Sequence, residues 1–284
     1  MFVLAGVLFS TLDATAKYLI REHTLLLIVW ARYAGQMLVT TPIAWRMGGP
    51  GFWRTKHLRV QLLRSLCLVV ATACFFGGLR YLPLAEGSAI AFLAPMFAIA
   101  LSRPVLGERP TRARVIAAIA GFAGILILVR PGSAVFHPAT ALIVTAAVAN
   151  AFYQLLTRKL PGDSPHTTLF YSALVGTVML SFALPFAEAP AQVTLRDAGI
   201  FVFLGLLAGL GHGLLIGAFL RAPASLVAPF TYLQMIWATL YGFFVFGQLP
   251  DGVSALGMAV IVASGVALVV HEARLRSSWI KASP

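Results

Sequence analysis

Long apolar stretches, separated by short polar segments, make up most of the chain. A helix needs about 20 apolar residues to cross a bilayer, and ten stretches approach that length. Because lipid offers the backbone no hydrogen-bond partners, each stretch is predicted to be an α-helix. The expected spans are 1–20, 24–45, 60–79, 84–106, 113–130, 136–157, 165–185, 198–220, 223–247 and 252–271.

The composition supports an all-α membrane protein. Of the 284 residues, 60% are hydrophobic and only 11% are charged, whereas soluble domains carry about 25% charged residues. These charges are too few to cover a soluble globule, which excludes a water-soluble enzyme. Cys67 and Cys74 lie in one predicted helix, about 10 Å apart, which is too far for a disulfide.

The net charge of +12 comes from basic residues grouped between the apolar stretches. Fourteen of the 21 lysines and arginines fall in the even-numbered loops and the C-terminal tail, against five in the odd-numbered loops. Since cytoplasmic loops are enriched in basic residues, the even loops and both termini are predicted to be cytoplasmic. The charge therefore indicates orientation in a bacterial inner membrane, and no nucleic-acid partner is expected.

Two halves of five spans show weak internal similarity. Residues 82–111 align with 222–251, and Arg112 of the first copy corresponds to Gly252 of the second. An odd number of spans inverts the second copy, and the loss of basic residues agrees with a loop on the opposite side. Inverted repeats are typical of transporters whose halves move around a central site. The shared residues include Pro83 and Pro223, Leu93 and Leu233, Gly107 and Gly247, and Pro110 and Pro250.

The first copy carries specific motifs. The run Leu82-Pro-Leu-Ala-Glu-Gly-Ser-Ala-Ile-Ala-Phe-Leu-Ala-Pro95 leads into Leu106-Gly-Glu-Arg-Pro-Thr111. These residues resemble the EamA domain of the drug/metabolite transporter superfamily, and the chain looks most like its bacterial YddG-type exporters of amino acids, aromatic ones included. The resemblance implies two EamA domains, residues 1–132 and 133–284, with ten helices and a central substrate path without ATP hydrolysis. The second copy departs from the motif at Phe246-Gly-Gln-Leu-Pro250, which lacks Glu and Arg.

Three charged residues are predicted to lie inside the first two spans. Asp13 and Lys17 are four residues apart on one helix, and Arg32 lies as far from the first turn as Asp13 does. Buried charges in membranes are candidates for function by default. In one hypothesis, Arg32 or Lys17 binds a substrate carboxylate and Asp13 binds an amino group or a proton. In the other, the three charges neutralise one another in a structural latch.

His212 is the one histidine deep within a predicted span. Glycines at four-residue spacing around it predict a smooth stripe for close packing against another helix. Beside this stripe, His212 is a cavity candidate, with either a proton-linked role or a hydrogen bond to a neighbouring helix. The glycines of the stripe are Gly205, Gly209, Gly213 and Gly217.

Polar and aromatic side chains on five predicted spans complete the candidate cavity. Amide and hydroxyl groups would hydrogen-bond a substrate, and aromatic rings would provide apolar walls. Ser88 and Pro95 are candidates on the fourth span, because proline frees backbone carbonyls at membrane depth. The other candidates are Trp30, Phe92, Asn150, Tyr153, Gln154, Tyr232, Gln234 and Trp237, with Phe75 and Phe76 as further apolar wall.

The chain contains no G-x-x-x-x-G-K-[ST], H-E-x-x-H or G-x-S-x-G motif. The loop histidines, among them His23, have no predicted partners, so no catalytic residue, cofactor or metal is expected. We therefore expect a secondary transporter that exports small metabolites, amino acids in the first place, by alternating access. Its partners would be the substrate and membrane lipid, and a monomer is compatible with the sequence.

Three alternatives stay open at this point. The chain could export drugs, nucleosides or organic anions instead. It could also be an intramembrane enzyme acting on lipids, for which Asp13 and His212 would be the catalytic candidates. A non-transporting scaffold is the third alternative, although a scaffold has little need of buried charges.

Overall fold

The computed structural model describes residues 1–108, 110–131, 136–187, 193–219 and 232–282, without the side chains of residues 216, 219 and 275–282. Within these ranges the chain forms helices and no β-strand, as the apolar pattern predicts. A short 3-10 turn, Leu184–Phe186, follows the eighth helix. The α-helices are α1 (Phe2–Leu19), α2 (Leu25–Gly48), α3 (Leu58–Leu79), α4 (Leu84–Ala91), α5 (Leu93–Leu106), α6 (Arg112–Val129), α7 (Thr140–Thr157), α8 (Pro165–Ala183), α9 (Leu195–Phe219), α10 (Leu233–Phe246) and α11 (Gly252–Ala282).

Eight segments of the described chain are long and apolar enough to cross a membrane. α4 and α5 together form one of these segments, Leu84–Leu106. α2 has 24 residues, but Arg32 and Gln36 at its centre lower its hydropathy. α10 has 14 residues, and residues 223–231 of the ninth expected span lie outside the described residues. The chain is a multi-pass membrane protein.

Local signals in the sequence explain where several helices begin and end. Ser164 caps α8 by accepting a hydrogen bond from the Thr167 backbone N–H at 3.0 Å, just before Pro165, a combination that favours a helix start. Gly107 and Gly247 end α5 and α10 with φ angles of 74° and 66°. This left-handed conformation is open to glycine without strain. The aligned glycines of the two copies therefore have the same structural role.

The fourth span is interrupted at Phe92, between α4 and α5. Pro95 lacks a backbone N–H, and its ring clashes with the carbonyl of Ala91, four residues earlier. Phe92 accordingly leaves the helical path at φ −65° and ψ −2°. Irregular backbone at membrane depth is tolerated where protein or a cavity surrounds it.

The helix pairings follow the two-copy arrangement. Exchanging α1 with α7, α2 with α8, α3 with α9, α4–α5 with α10 and α6 with α11 leaves the set of main contacts unchanged. The α1–α9 contact becomes α3–α7, α1–α10 becomes α5–α7, and α2–α9 becomes α3–α8. The pairs α2–α8 and α6–α11 map onto themselves. Every one of these contacts joins a helix of one copy to a helix of the other, so the two copies interlock.

α2 and α9 approach until their backbones touch. A Cβ atom added to Gly35 would lie 2.4 Å from the Cα of Gly205, and one added to Gly209 would lie 2.6 Å from the Val39 side chain. The predicted packing role is therefore observed at Gly205 and Gly209. At Gly213 an added Cβ would meet nothing within 4 Å, so the close contact covers only this part of the stripe.

α6 and α11 are joined by an ion pair at each end. Arg114 pairs with Glu272 at one end, and Arg130 pairs with Asp251 at the other. Asp251 also accepts a hydrogen bond from the Ser254 backbone N–H at 2.7 Å. The Arg130 guanidinium, followed by the Ser254 hydrogen bonds, holds the pKa of the Asp251 carboxyl well below its usual range. The Asp251 carboxylate is therefore ionised throughout the physiological pH range.

Candidate functional site

A cavity of about 280 Å³ lies between the two copies. Its walls come from α1, α2, α3, α4, α5 and α7, with Gln234 contributed by α10. The interruption at Phe92 borders it, together with Ala91, Ala94 and Pro95. Ten of the predicted residues line this cavity: Asp13, Arg32, Phe75, Phe76, Ser88, Phe92, Pro95, Asn150, Gln154 and Gln234.

Arg32 is the buried cation of this cavity. Its side chain extends along the ring of Tyr33, with the guanidinium carbon 4.6 Å from the ring centroid. Arg32 is only 6% exposed, and its Nη1 has no hydrogen-bond partner among the described residues. A buried charge without full hydrogen bonding costs several kcal/mol. The unpartnered Nη1 of Arg32 is therefore suited to an anionic group that enters the cavity.

Asp13 provides a carboxyl group to the same cavity. The Gln234 side chain lies within hydrogen-bonding reach of it, and Arg32 is the charged group that acts on it. Ser10 fixes the backbone beside Gln234 by donating to its carbonyl oxygen at 3.2 Å. Within the described ranges, no ion pair closer than 4.0 Å joins Asp13 to Arg32. The two opposite charges thus border one cavity without neutralising each other by direct contact.

Neutral polar groups and phenylalanine rings form the rest of the wall. Ser88, on the last turns of α4, is buried, and its Oγ has no partner among the side chains that the structure describes. Asn150 and Gln154 lie one helical turn apart on α7. The apolar side consists of Phe9, Phe75, Phe76 and Phe92. This combination of few polar groups and much apolar wall is typical of small-molecule sites.

Lys17 is not part of the expected three-charge cluster. Its Nζ donates to the carbonyl oxygens of Leu79 (2.7 Å) and Leu82 (2.5 Å), and it lies 5.6 Å from the ring centroid of Phe246. The end of α3 leaves these carbonyls without helical partners, and the long lysine side chain reaches them. Lys17 therefore fastens α1 to the α3–α4 turn, which corrects its assignment to the cavity.

His212 also lies outside the cavity wall. Its Nδ1 bonds to the carbonyl oxygen of Ala208 on its own helix at 2.8 Å, and its ring meets the edge of Phe9 at 4.9 Å. The expected hydrogen bond to a neighbouring helix is replaced by this bond within α9. His212 thus supports Phe9, a cavity residue, from behind.

Four aromatic candidates likewise fall behind the wall. Trp30 donates from its indole nitrogen to Ser181 at 2.8 Å. The Tyr153 ring lies under the guanidinium of Arg64, at 4.5 Å. The Tyr232 ring stacks on Phe92 at 5.2 Å. Trp237 does not line the cavity, and its buried indole nitrogen has no partner in the described part of the chain.

Several wall residues are not predicted from the sequence. Phe9 and Leu12 of α1, and Thr72 of α3, face the cavity, and Thr72 also bonds to the Tyr33 hydroxyl at 3.0 Å. Alanines line much of the rest of the cavity. In an alanine-rich chain, no sequence pattern distinguishes these alanines from the others. Only the spacing along α1, where Leu12 and Asp13 follow Phe9 by three and four residues, could have grouped these side chains.

A second cavity of about 140 Å³ adjoins Gln154, which lines both cavities. It is bordered by Ser102, Arg114 and Arg158. Arg158 pairs with Glu108 at 3.1 Å. Gln154 therefore stands between the central cavity and the basic end of the bundle.

Comparison with known proteins identifies the family. The chain matches the EamA-like transporter family over residues 1–130 and 137–270. It is 31% identical to a riboflavin transporter of Vibrio cholerae, covering 92% of this chain and 88% of that protein. It is 27% identical to an S-adenosylmethionine uptake transporter of Rickettsia bellii, covering 98% and 95%. It is also 27% identical to the pseudopaline exporter CntI of Pseudomonas aeruginosa, covering 94% and 93%.

A solved crystal structure shares the fold. It superposes on this chain with a TM-score of 0.69 at 20% sequence identity, covering 96% of this chain and 98% of the other. The named relatives are small-molecule transporters and include both uptake carriers and an exporter. A lipid-acting enzyme and a non-transporting scaffold are thereby set aside. Two family matches over nearly the whole length, on an all-helical framework with a central cavity, show that the chain belongs to the EamA-like transporter family.

Proposed function

We propose that this protein is a secondary transporter that exports small zwitterionic metabolites, amino acids in the first place, across the bacterial inner membrane. The observation that carries the proposal is the pair of charges in the central cavity. Arg32 offers its unpartnered Nη1, and Asp13 offers a carboxyl group, without a direct ion pair between them. The carboxylate of an amino acid would bind Arg32, and its ammonium group would bind Asp13.

The size and walls of the cavity favour a small substrate. Pockets for drug-sized ligands span about 300 to 1,000 Å³, and this cavity, at about 280 Å³, lies at the lower end. The four phenylalanines suit an apolar side chain, and the amides of Asn150, Gln154 and Gln234 suit its polar head group. Amino acids, including aromatic ones, combine these properties.

The proposed architecture has ten spans in two inverted domains, residues 1–132 and 133–284, with both termini in the cytoplasm. The exchange symmetry of the helix contacts supports the two-copy arrangement. The excess of basic residues in the even loops supports the orientation. Since helices of both copies form the cavity wall, movement of these helices relative to one another would open it to one side at a time.

Transport in proteoliposomes tests the substrate class. We expect saturable uptake of several radiolabelled amino acids by the purified protein, with empty liposomes as the control. The panel includes S-adenosylmethionine and riboflavin, because relatives of this chain carry them. An imposed pH gradient separates proton coupling from facilitated diffusion. If folded protein carries only riboflavin or S-adenosylmethionine, the amino-acid proposal is wrong.

Measurements in whole cells test the direction of transport. Expression of an exporter should lower the cellular content of a transported amino acid and raise resistance to a toxic analogue. A higher content and greater sensitivity would instead show uptake.

Cysteine labelling tests the orientation. In a background with Cys67 and Cys74 replaced by alanine, we compare two exposed positions, Tyr81 and Arg112. Tyr81→Cys in the third loop should react with a membrane-impermeant maleimide in intact cells. Arg112→Cys should react only after permeabilisation. The reverse pattern would place the termini outside.

A further inference from the structure

The turn between α1 and α2 meets the first turn of α9. His23 in this turn is buried, with 2% of its side chain exposed, and its Nε2 lies 3.5 Å from Asp197 Oδ2. Its ring contacts the edge of Phe201 at 5.1 Å. Neither ring nitrogen has a hydrogen-bond partner among the described residues. This contact is not predictable from the sequence, because Asp197 is distant from His23 in the chain.

A buried imidazole without partners loses its hydration without compensation, which is unfavourable. Asp197 cannot supply a full hydrogen bond at the observed distance. A third group, the exposed carboxyl of Glu22, lies nearby, and the ligand atoms of Glu22, His23 and Asp197 are all within 4.8 Å of one another. This unpartnered histidine therefore faces two carboxylates, one in its own turn and one on α9.

Asp197 is held in place by its own helix end. The backbone N–H and the hydroxyl of Thr194 donate to Asp197 Oδ2 at 3.0 and 2.7 Å. Carboxylates that ligate metals are commonly oriented by such secondary hydrogen bonds. The other carboxylate oxygen of Asp197 has no assigned hydrogen bond within the part of the chain described. The Asp197 carboxylate is thus held in one orientation, and its second oxygen is still able to bind a hydrogen-bond donor or a cation.

The two neighbouring arginines, Arg21 and Arg196, interact with aromatic side chains and not with these carboxylates. The guanidinium of Arg21 lies over the Phe246 ring at 5.2 Å. Arg196 donates to the Tyr18 hydroxyl at 3.0 Å. Neither arginine forms an ion pair with these carboxylates in the described ranges, so the negative charge of Glu22 and Asp197 is available to a cation.

We propose that Glu22, His23 and Asp197 bind a divalent transition-metal ion of the zinc class and that the bound ion joins the α1–α2 turn to α9. One imidazole nitrogen and two carboxylate oxygens are ligands that zinc accepts, with a fourth position for water. A tetrahedral site needs ligand atoms about 3.4 Å apart. The exposed Glu22 side chain would rotate to bring its carboxylate from within 4.8 Å to that distance. The ion would also provide the missing partner of His23.

Zinc binding to the purified full chain in detergent tests this proposal, with any affinity tag removed. Isothermal titration calorimetry should show one saturable zinc equivalent, and the unfolding temperature should rise with zinc and return with EDTA. Magnesium should have no such effect. Because neither measurement requires transport, failure here and failure of the proposed function are distinguishable.

His23→Ala should weaken zinc binding at least ~10-fold, the lower range of effects seen even for residues behind a metal ligand. His271→Ala is the matched control, since His271 is exposed on α11 and should leave binding unchanged. Glu22→Gln, at an exposed position, tests the same site if the first variant does not fold. No saturable binding by the wild type, or binding that survives both His23→Ala and Glu22→Gln, would overturn the proposal.

Discussion

Replacing Arg32 with methionine is expected to lower substrate affinity by about 10- to 100-fold. A hydrogen bond to a charged group contributes about 1.5–3 kcal/mol, and each 1.4 kcal/mol is a factor of ten in the dissociation constant. Methionine keeps the unbranched apolar stem and removes the N–H donors that face the cavity. Initial uptake rates over a range of substrate concentrations, in proteoliposomes of matched protein content, measure the effect.

The stability of Arg32→Met separates the two hypotheses for the buried charges. If Arg32 serves to bind substrate, the methionine variant lacks a buried charge that is incompletely hydrogen-bonded in the wild type. Its unfolding temperature should then be equal to that of the wild type or higher. If Arg32 belongs to a latch with Asp13, its removal leaves a buried carboxyl unpaired, and the unfolding temperature should fall.

Arg46→Met provides the matched control. Arg46 lies on the same helix but is exposed, so its replacement should leave both affinity and stability close to those of the wild type. Arg32→Lys should give an intermediate loss, because an ammonium group cannot reproduce the planar fork that binds a carboxylate. Unchanged uptake kinetics in Arg32→Met would remove Arg32 from the substrate site.

Replacing Gly205 with alanine is expected to destabilise the fold by about 1–3 kcal/mol or more, the usual cost of overfilling a packed contact. The new Cβ would lie 2.5 Å from the Cα of Gly35. Real Cβ atoms do not approach other atoms so closely, and backbone cannot move aside as a flexible side chain can. α2 and α9 would have to separate, with loss of packing along their whole contact. Thermal unfolding in detergent measures the loss.

Gly213→Ala is the control on the same helix. An added Cβ at Gly213 meets nothing within 4 Å, and alanine is the better helix former by about 0.5–1 kcal/mol. This variant should therefore be as stable as the wild type or slightly more stable. Equal unfolding temperatures for Gly205→Ala and Gly213→Ala would show that the α2–α9 backbones are not in contact.

The sequence predicted the helices well because membrane insertion imposes a long apolar pattern on each of them. It predicted less about the fourth span, since Pro95 in a sequence is compatible with a kink as well as with a break. The interruption at Phe92 also depends on the space that surrounding helices leave there. The left-handed glycines, Gly107 and Gly247, were recognised as a repeated pair, although their conformation could only be seen in the structure.

Many cavity residues were predictable from the sequence, among them polar ones such as Gln234 and the phenylalanines Phe75, Phe76 and Phe92. Asp13 and Arg32 could be placed together by counting residues from the first turn. Lys17 shares a helix face with Asp13, but its long side chain reaches carbonyl oxygens more than 60 residues away in the sequence, at 2.7 Å from Leu79. The contact between His23 and Asp197 is equally remote in sequence. Such contacts follow from the packing of distant helices, which periodicity along one chain does not specify.

The two ion pairs between α6 and α11 bear on how the protein can move. These helices come from different copies, yet they are fastened at both ends, and their glycines bring the backbones close: a Cβ on Gly257 would lie 2.6 Å from the carbonyl oxygen of Gly124. Because α6 and α11 are held together at both ends and in the middle, we expect them to move as one rigid body. The mechanical units of the transporter therefore cannot coincide with the two copies along the sequence. The contacts that change when the transporter moves must lie elsewhere, among the helices that surround the cavity.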